Sequence, residues 1–93
     1  MMRQYEFIEL NKSKGLHWFD KDTLRFFKSR VSNWDCISGL FISSERGPDM
    51  VRKYTVRKAD FETGNVSTVG EFQQYRTIKA AKGAMKRAQR GII

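Results

Sequence analysis

The sequence predicts an α+β fold: a small antiparallel sheet of three to four strands, a C-terminal helix packed on one face, and a short helix near residues 21–31. Three observations carry that expectation. Residues 51–59 and 66–72 alternate in character and flank a loop containing Gly64, the pattern of a hairpin. Residues 78–90 are rich in helix formers and place apolar side chains at helical spacing. The 93 residues are one domain long, with 40% hydrophobic and 13% aromatic content, enough to build a core and offset conformational entropy.

Taken in order, residues 3–10 alternate, with Tyr5, Phe7 and Glu9 on one side and Glu6, Ile8 and Leu10 on the other, and predict a strand. Residues 11–15 carry turn chemistry ending at Gly15. Asp20 can cap a helix running from Lys21 to about Val31, with Leu24, Phe27 and Val31 on one face. Residues 40–44 read as a second strand, and Gly47-Pro48 breaks the chain after it. In residues 51–59, Tyr54 and Val56 share one face, while Lys53, Thr55, Arg57 and Ala59 share the other. Gly64 is placed for a positive φ in the loop of residues 60–65. The return strand, residues 66–72, puts Val66, Thr68, Gly70 and Phe72 together.

Thr77 caps the last helix, and Gly91 ends it. Its apolar stripe of Ile78, Ala81, Met85 and Ala88 is expected to meet Tyr54, Val56 and Phe72. The predicted element order is β-α-β-β-β-α.

The chain carries 18 Lys+Arg against 10 Asp+Glu, a formal charge of +8. That excess points to a polyanionic partner: nucleic acid, an acidic protein or an anionic surface. It is unevenly placed. Residues 1–50 total +1 and residues 51–93 total +7. Arg76 to Arg90 holds six basic residues and no acid, and Lys79, Lys82, Lys86 and Arg90 form one stripe at i, i+3, i+7 and i+11.

The same composition excludes other classes. One cysteine, Cys36, permits no internal disulfide, and with the single His17 it forms no zinc cluster, so a cytoplasmic location is expected. No apolar run approaches the roughly 18 residues of a membrane span, and the first residues lack a signal-peptide layout. No membrane partner, metal or cofactor is expected. A catalytic reading would rest on His17, Asp20 and Cys36. His17 among Leu16, Trp18 and Phe19 reads instead as a part-buried structural residue, and Cys36 as a small core residue. No Gly-rich phosphate loop is present.

Two resemblances add to this. From Tyr54-Thr55-Val56-Arg57, through Thr63-Gly64 and Val69-Gly70-Glu71-Phe72, to Thr77 and the helix with Ala80, Ala81, Ala84 and Ala88, residues 54–88 resemble the three-stranded-sheet-plus-helix DNA-binding domain of ethylene-response factors and integrase N-termini. That resemblance implies a sheet face set in the major groove and a helix packed behind it. The sheet face here offers only Lys53 and Arg57 in place of a dense row of Arg and Trp, and Gln74-Tyr75-Arg76 lengthen the junction. The stretches Gly15-Leu16-His17-Trp18-Phe19 with Phe26-Phe27 and Ser29-Arg30, Phe41-Ile42-Ser43-Ser44-Glu45, Arg52 to Arg57 and Thr68 to Gln73 are similar to small uncharacterised proteins of tailed bacteriophages. This second resemblance implies a viral accessory role in a host cytoplasm and no particular reaction.

The function expected from the sequence is non-enzymatic nucleic-acid binding, DNA in the first instance, mainly through phosphates. The contacts would come from Arg76, Lys79, Lys82, Lys86, Arg87 and Arg90, with Lys53 and Arg57 extending them across the sheet. The alternative is a module that docks on an acidic host protein and inhibits or redirects it. That module would use Trp18, Phe19 and Phe26, because adjacent Phe26 and Phe27 cannot both enter one core.

Overall fold

A strand buried at six successive positions needs a layer on each of its faces, and residues 40–45 are such a strand. The computed structural model describes residues 1–26 and 28–92, and supplies both layers. Its elements are α1 (Gln4–Ser13), α2 (Lys21–Phe26), β1 (Arg30–Ser32), β2 (Leu40–Arg46), β3 (Arg52–Ala59), β4 (Val66–Val69) and α3 (Ile78–Ile92). The strands form one antiparallel sheet in the order β1-β2-β3-β4.

Side chains alternate across a strand, so the register sorts them by face. Leu40, Ile42 and Val56 point to one side and meet Ala81 and Met85 of α3, with Tyr54, Val69, Tyr75, Ile78 and Ala88 around them. Phe41 and Ala59 point to the other, where Phe7 of α1 and Phe19 complete a second, aromatic core. Phe7 meets Phe19 edge-on at 5.7 Å, and Trp18 meets Phe41 edge-on at 5.6 Å, the arrangement ring quadrupoles favour. The sheet is thus sandwiched between α3 and an aromatic layer.

The expected strand at residues 3–10 is instead helix α1. Phe7 and Asn11, four residues apart, are its buried positions, and Glu6 accepts a hydrogen bond from the Arg3 amide at 3.0 Å. The apparent alternation mixed Glu with apolar residues on both sides, so it marked no buried face, whereas i, i+4 spacing does.

The helix expected over residues 21–31 ends at Phe26; Phe27, counted in its stripe, lies outside the described residues. The Ser29 amide reaches back to the Leu24 carbonyl at 2.8 Å and Lys28 takes φ +52°, which closes a helix end. Val31 then lies on β1 opposite Ser43. The return strand stops at Val69, where Gly70 at φ +81° turns the chain. Phe72 therefore leaves the α3 side, and Tyr75, bridged to Tyr54, takes its place there. The hairpin at residues 51–66, Gly64 at φ +79° and the Thr77 cap, whose Oγ1 accepts from the Ala80 amide at 3.1 Å, match the expectation. Helix α3 continues through Gly91 to Ile92. The order is α-α-β-β-β-β-α.

Candidate functional site

Helix α3 is amphipathic because Ile78, Ala81, Met85 and Ala88 recur at helical spacing and its polar positions carry cations. Burying that stripe fixes where the cations go. Lys79, Lys82, Lys86 and Arg90 are all exposed along one flank, Arg87 is exposed on the outward side, and Arg76 is exposed just before the cap. Lys82 and Lys86 line a shallow groove of about 200 Å³ with Asn33, so the flank faces the β1 edge. The far end of α3 is tied down by Gln89, which donates to Asp35 Oδ2 at 3.1 Å. The Asp35 carboxyl sits below its usual range, chiefly through the Ser38 hydroxyl, with the Ile37 and Ser38 amides and Gln89 adding and burial opposing.

The same face carries three arginines absent from the expected set. Arg30 pairs with Ser44, Ser44 with Tyr54, and Arg46 with Arg52, so all three share the face of Tyr54. Arg46 and Arg52 are directly opposed like charges, which destabilises a strand pair. Arg52 Nη1 is held by Ser44 Oγ at 2.9 Å and the Ser44 carbonyl at 3.1 Å. Its guanidinium is pushed below the usual arginine range by burial first and then by Arg30 and Arg46. Folding residues 40–46 and 52–59 about the Gly47-Pro48 turn would have opposed these residues. Counting charge by halves of the chain hid them.

Lys53 and Arg57 stand on the opposite face, as the alternation required, and so do not join the α3 stripe. Lys53 is half-buried across from Glu45. Arg57 is engaged internally. Its Nε donates to Ser43 Oγ at 3.0 Å, Nη1 donates to Thr68 Oγ1 at 2.5 Å, and Nη2 is 3.8 Å from Glu45 Oε1. The guanidinium lies over Trp18 and over Phe72, at 5.7 and 5.3 Å from the ring centres. Burial lowers its pKa, and Glu45 works against that. Around this group is a mainly apolar cavity of about 190 Å³, walled by Trp18, Leu24, Phe72, Glu45 and Arg57.

The expected protein-docking aromatics are divided. Phe19 is 8% exposed and belongs to the core, and Trp18 is half-buried against Phe19 and Phe41. Phe26 is 80% exposed. His17 is exposed rather than part-buried, its Nδ1 2.9 Å from Asp20 Oδ2, and Cys36 is half-buried rather than core. Among the described residues no group of three or more His, Cys, Asp or Glu could hold a metal ion, and no helix is long and apolar enough to cross a membrane.

The fold and site together define a small basic α+β protein with a four-stranded sheet held between a cationic helix and an aromatic layer. The chain belongs to the family of unknown function DUF7447, whose pattern matches residues 3–86. No curated protein and no solved structure matches it significantly.

Proposed function

We propose that this is a non-enzymatic accessory protein that binds nucleic acid, DNA in the first instance, through the α3 face. The observation that carries the reading is that two cationic groups share one side of the sheet. The exposed stripe Lys79, Lys82, Lys86 and Arg90 lies on the same face as Arg30, Arg46 and Arg52. Helix α3 itself holds no acid. Ordinary surfaces intersperse the two signs, and a row of like charge held together against its own repulsion suits a polyanion.

The helix is about 22 Å long, and its lysines recur at about one turn, so it can follow a phosphate backbone. Phosphate contacts position a protein without reading sequence, so sequence preference on duplex DNA is weak. Lys53 and Arg57 drop out of the footprint, because they stand on the sheet face opposite α3. The resemblance to small phage proteins supports an origin in a phage and a place of action in the host cytoplasm.

The test is binding to duplex DNA against salt. Four to seven phosphate contacts give a slope of log affinity on log salt of about −4 to −6. A slope near zero, or capture of an acidic host protein that survives nuclease and high salt while DNA is not bound, would overturn the reading.

A further inference from the structure

The cavity beside Arg57 has a feature that the α3 face does not use. Glu45 lines it and is only 5% exposed, yet its Oε2 atom is buried with no hydrogen-bond partner among the described residues. Its other oxygen, Oε1, has the Ser29 hydroxyl at 3.4 Å and Arg57 at 3.8 Å, both long. Buried polar atoms are rarely left unpaired, and an ionised carboxylate can only accept. What completes the site is therefore a donor. The Trp18 and Phe72 rings both line the cavity, each beside the Arg57 guanidinium, so a flat group entering it meets aromatic surface. The volume, about 190 Å³, admits one small ring system, given that a cavity of about 150 Å³ lodges a benzene ring.

A second cavity adjoins this one. Leu24 and Ser29 line both, and the rest of the second lining is Arg25, Lys28, Arg30, Arg46 and Arg52. Five cations beside an aromatic slot with a carboxylate floor form a base pocket next to a phosphate pocket.

We propose that the Trp18–Phe72 cavity binds a guanine base against Glu45, with the phosphate of the same nucleotide on the arginine cluster of β1–β3. Guanine is the base that offers two adjacent donors, N1–H and the N2 amine, to one carboxylate, and its O6 is an acceptor for Arg57. The proposal rests on the nucleic-acid reading for its phosphate arm and goes beyond it in naming a base. The shared chemistry is a guanine nucleotide, free or as a unit of a single strand.

Calorimetric titration of the full chain tests it with GMP, AMP, CMP, UMP and guanosine. GMP should bind about 10-fold or more tightly than the other three nucleotides, as a good two-bond base contact implies. Glu45→Gln should abolish that preference. Phe72 is largely exposed, so Phe72→Ala should leave the melting curve intact and weaken GMP about 10-fold by loss of stacking. Arg46→Gln should weaken GMP and leave guanosine unchanged. Equal affinity for the four nucleotides, no GMP binding, or unaltered GMP binding by a folded Glu45→Gln protein would each overturn the proposal.

A guanine-containing single strand bound more tightly than GMP marks the strand as the source, and equal binding marks the free nucleotide. A strand without guanine that binds as well as one with it contradicts the proposal. The Lys82→Gln/Lys86→Gln protein separates the two claims: it should weaken duplex binding, with a slope about two units shallower, and keep GMP binding. In the parent chain, absent GMP binding beside intact duplex binding sinks the base site, whereas absent duplex binding beside intact GMP binding sinks the α3 reading.

Discussion

Arg57 and Glu45 face each other from adjacent strands at 3.8 Å, both side chains mostly buried, on the sheet face that α3 does not cover. Removing one partner of a buried charge pair leaves the other uncompensated, which costs more than the pair contributes. Arg57→Ala also removes the packing of its stem and its stacking on Trp18 and Phe72. The expected outcome is a loss of about 3–5 kcal/mol in chemical denaturation, with duplex DNA affinity of the folded fraction unchanged. A variant that keeps its stability and loses DNA affinity would return Arg57 to the phosphate-binding set.

Asn11 is the buried polar junction between α1 and the β3–β4 loop. Its Nδ2 donates to the Gly64 carbonyl at 2.8 Å, and its Oδ1 accepts from the Trp18 amide at 2.8 Å. Asn11→Ala strands both backbone groups and should cost about 2–4 kcal/mol across the two bonds. Thermal melts would show a fall on the order of 10 °C or more. A fall of a degree or two would mean that the junction carries little.

Gly64 sits at φ +79°, and a Cβ there would lie 3.2 Å from the Lys14 side chain and 3.4 Å from Leu10. Gly64→Ala should therefore destabilise by about 1–2 kcal/mol, mainly through the left-handed backbone. Gly15 also has positive φ, at +75°, but nothing lies within 4 Å of its Cβ position. The matching Gly15→Ala variant carries the backbone penalty alone. Equal melting temperatures for the two variants would assign the whole effect to the backbone.

Acid should loosen the end of α3 through Asp35. Its carboxyl is depressed in the fold, so the stability it contributes is present above its unfolded value of about 3.9 and lost as pH falls through the lower folded value. Melting temperature should therefore fall below about pH 4 in the parent, and more shallowly in Asp35→Asn. Identical acid profiles for the two proteins would contradict this linkage.

Much of the fold was legible because local signals agreed with one another. Thr77, the Ile78–Ala81–Met85–Ala88 stripe and the alternation across Tyr54–Arg57 each point to a single arrangement, and the structure has it. The N-terminal segment was not legible. Its periodicity in residues 3–10 fits both templates weakly, and packing of Phe7 on Phe19, Trp34 and Phe61 decides between them. The cationic stripe was readable from spacing within one helix. Its extension to Arg30, Arg46 and Arg52 depended on strand register, a property no single segment holds. The unpartnered Glu45 oxygen required both faces of the sheet to be known.

Phosphate binding by the α3 stripe is tested most directly by the salt dependence of duplex DNA affinity in the parent chain and in Lys79→Gln/Lys82→Gln/Lys86→Gln. The slope should be about −4 to −6 for the parent and about three units shallower for the triple variant, with an unchanged melting curve. A parent slope near zero, or a triple variant that binds with the parent's slope, would contradict it.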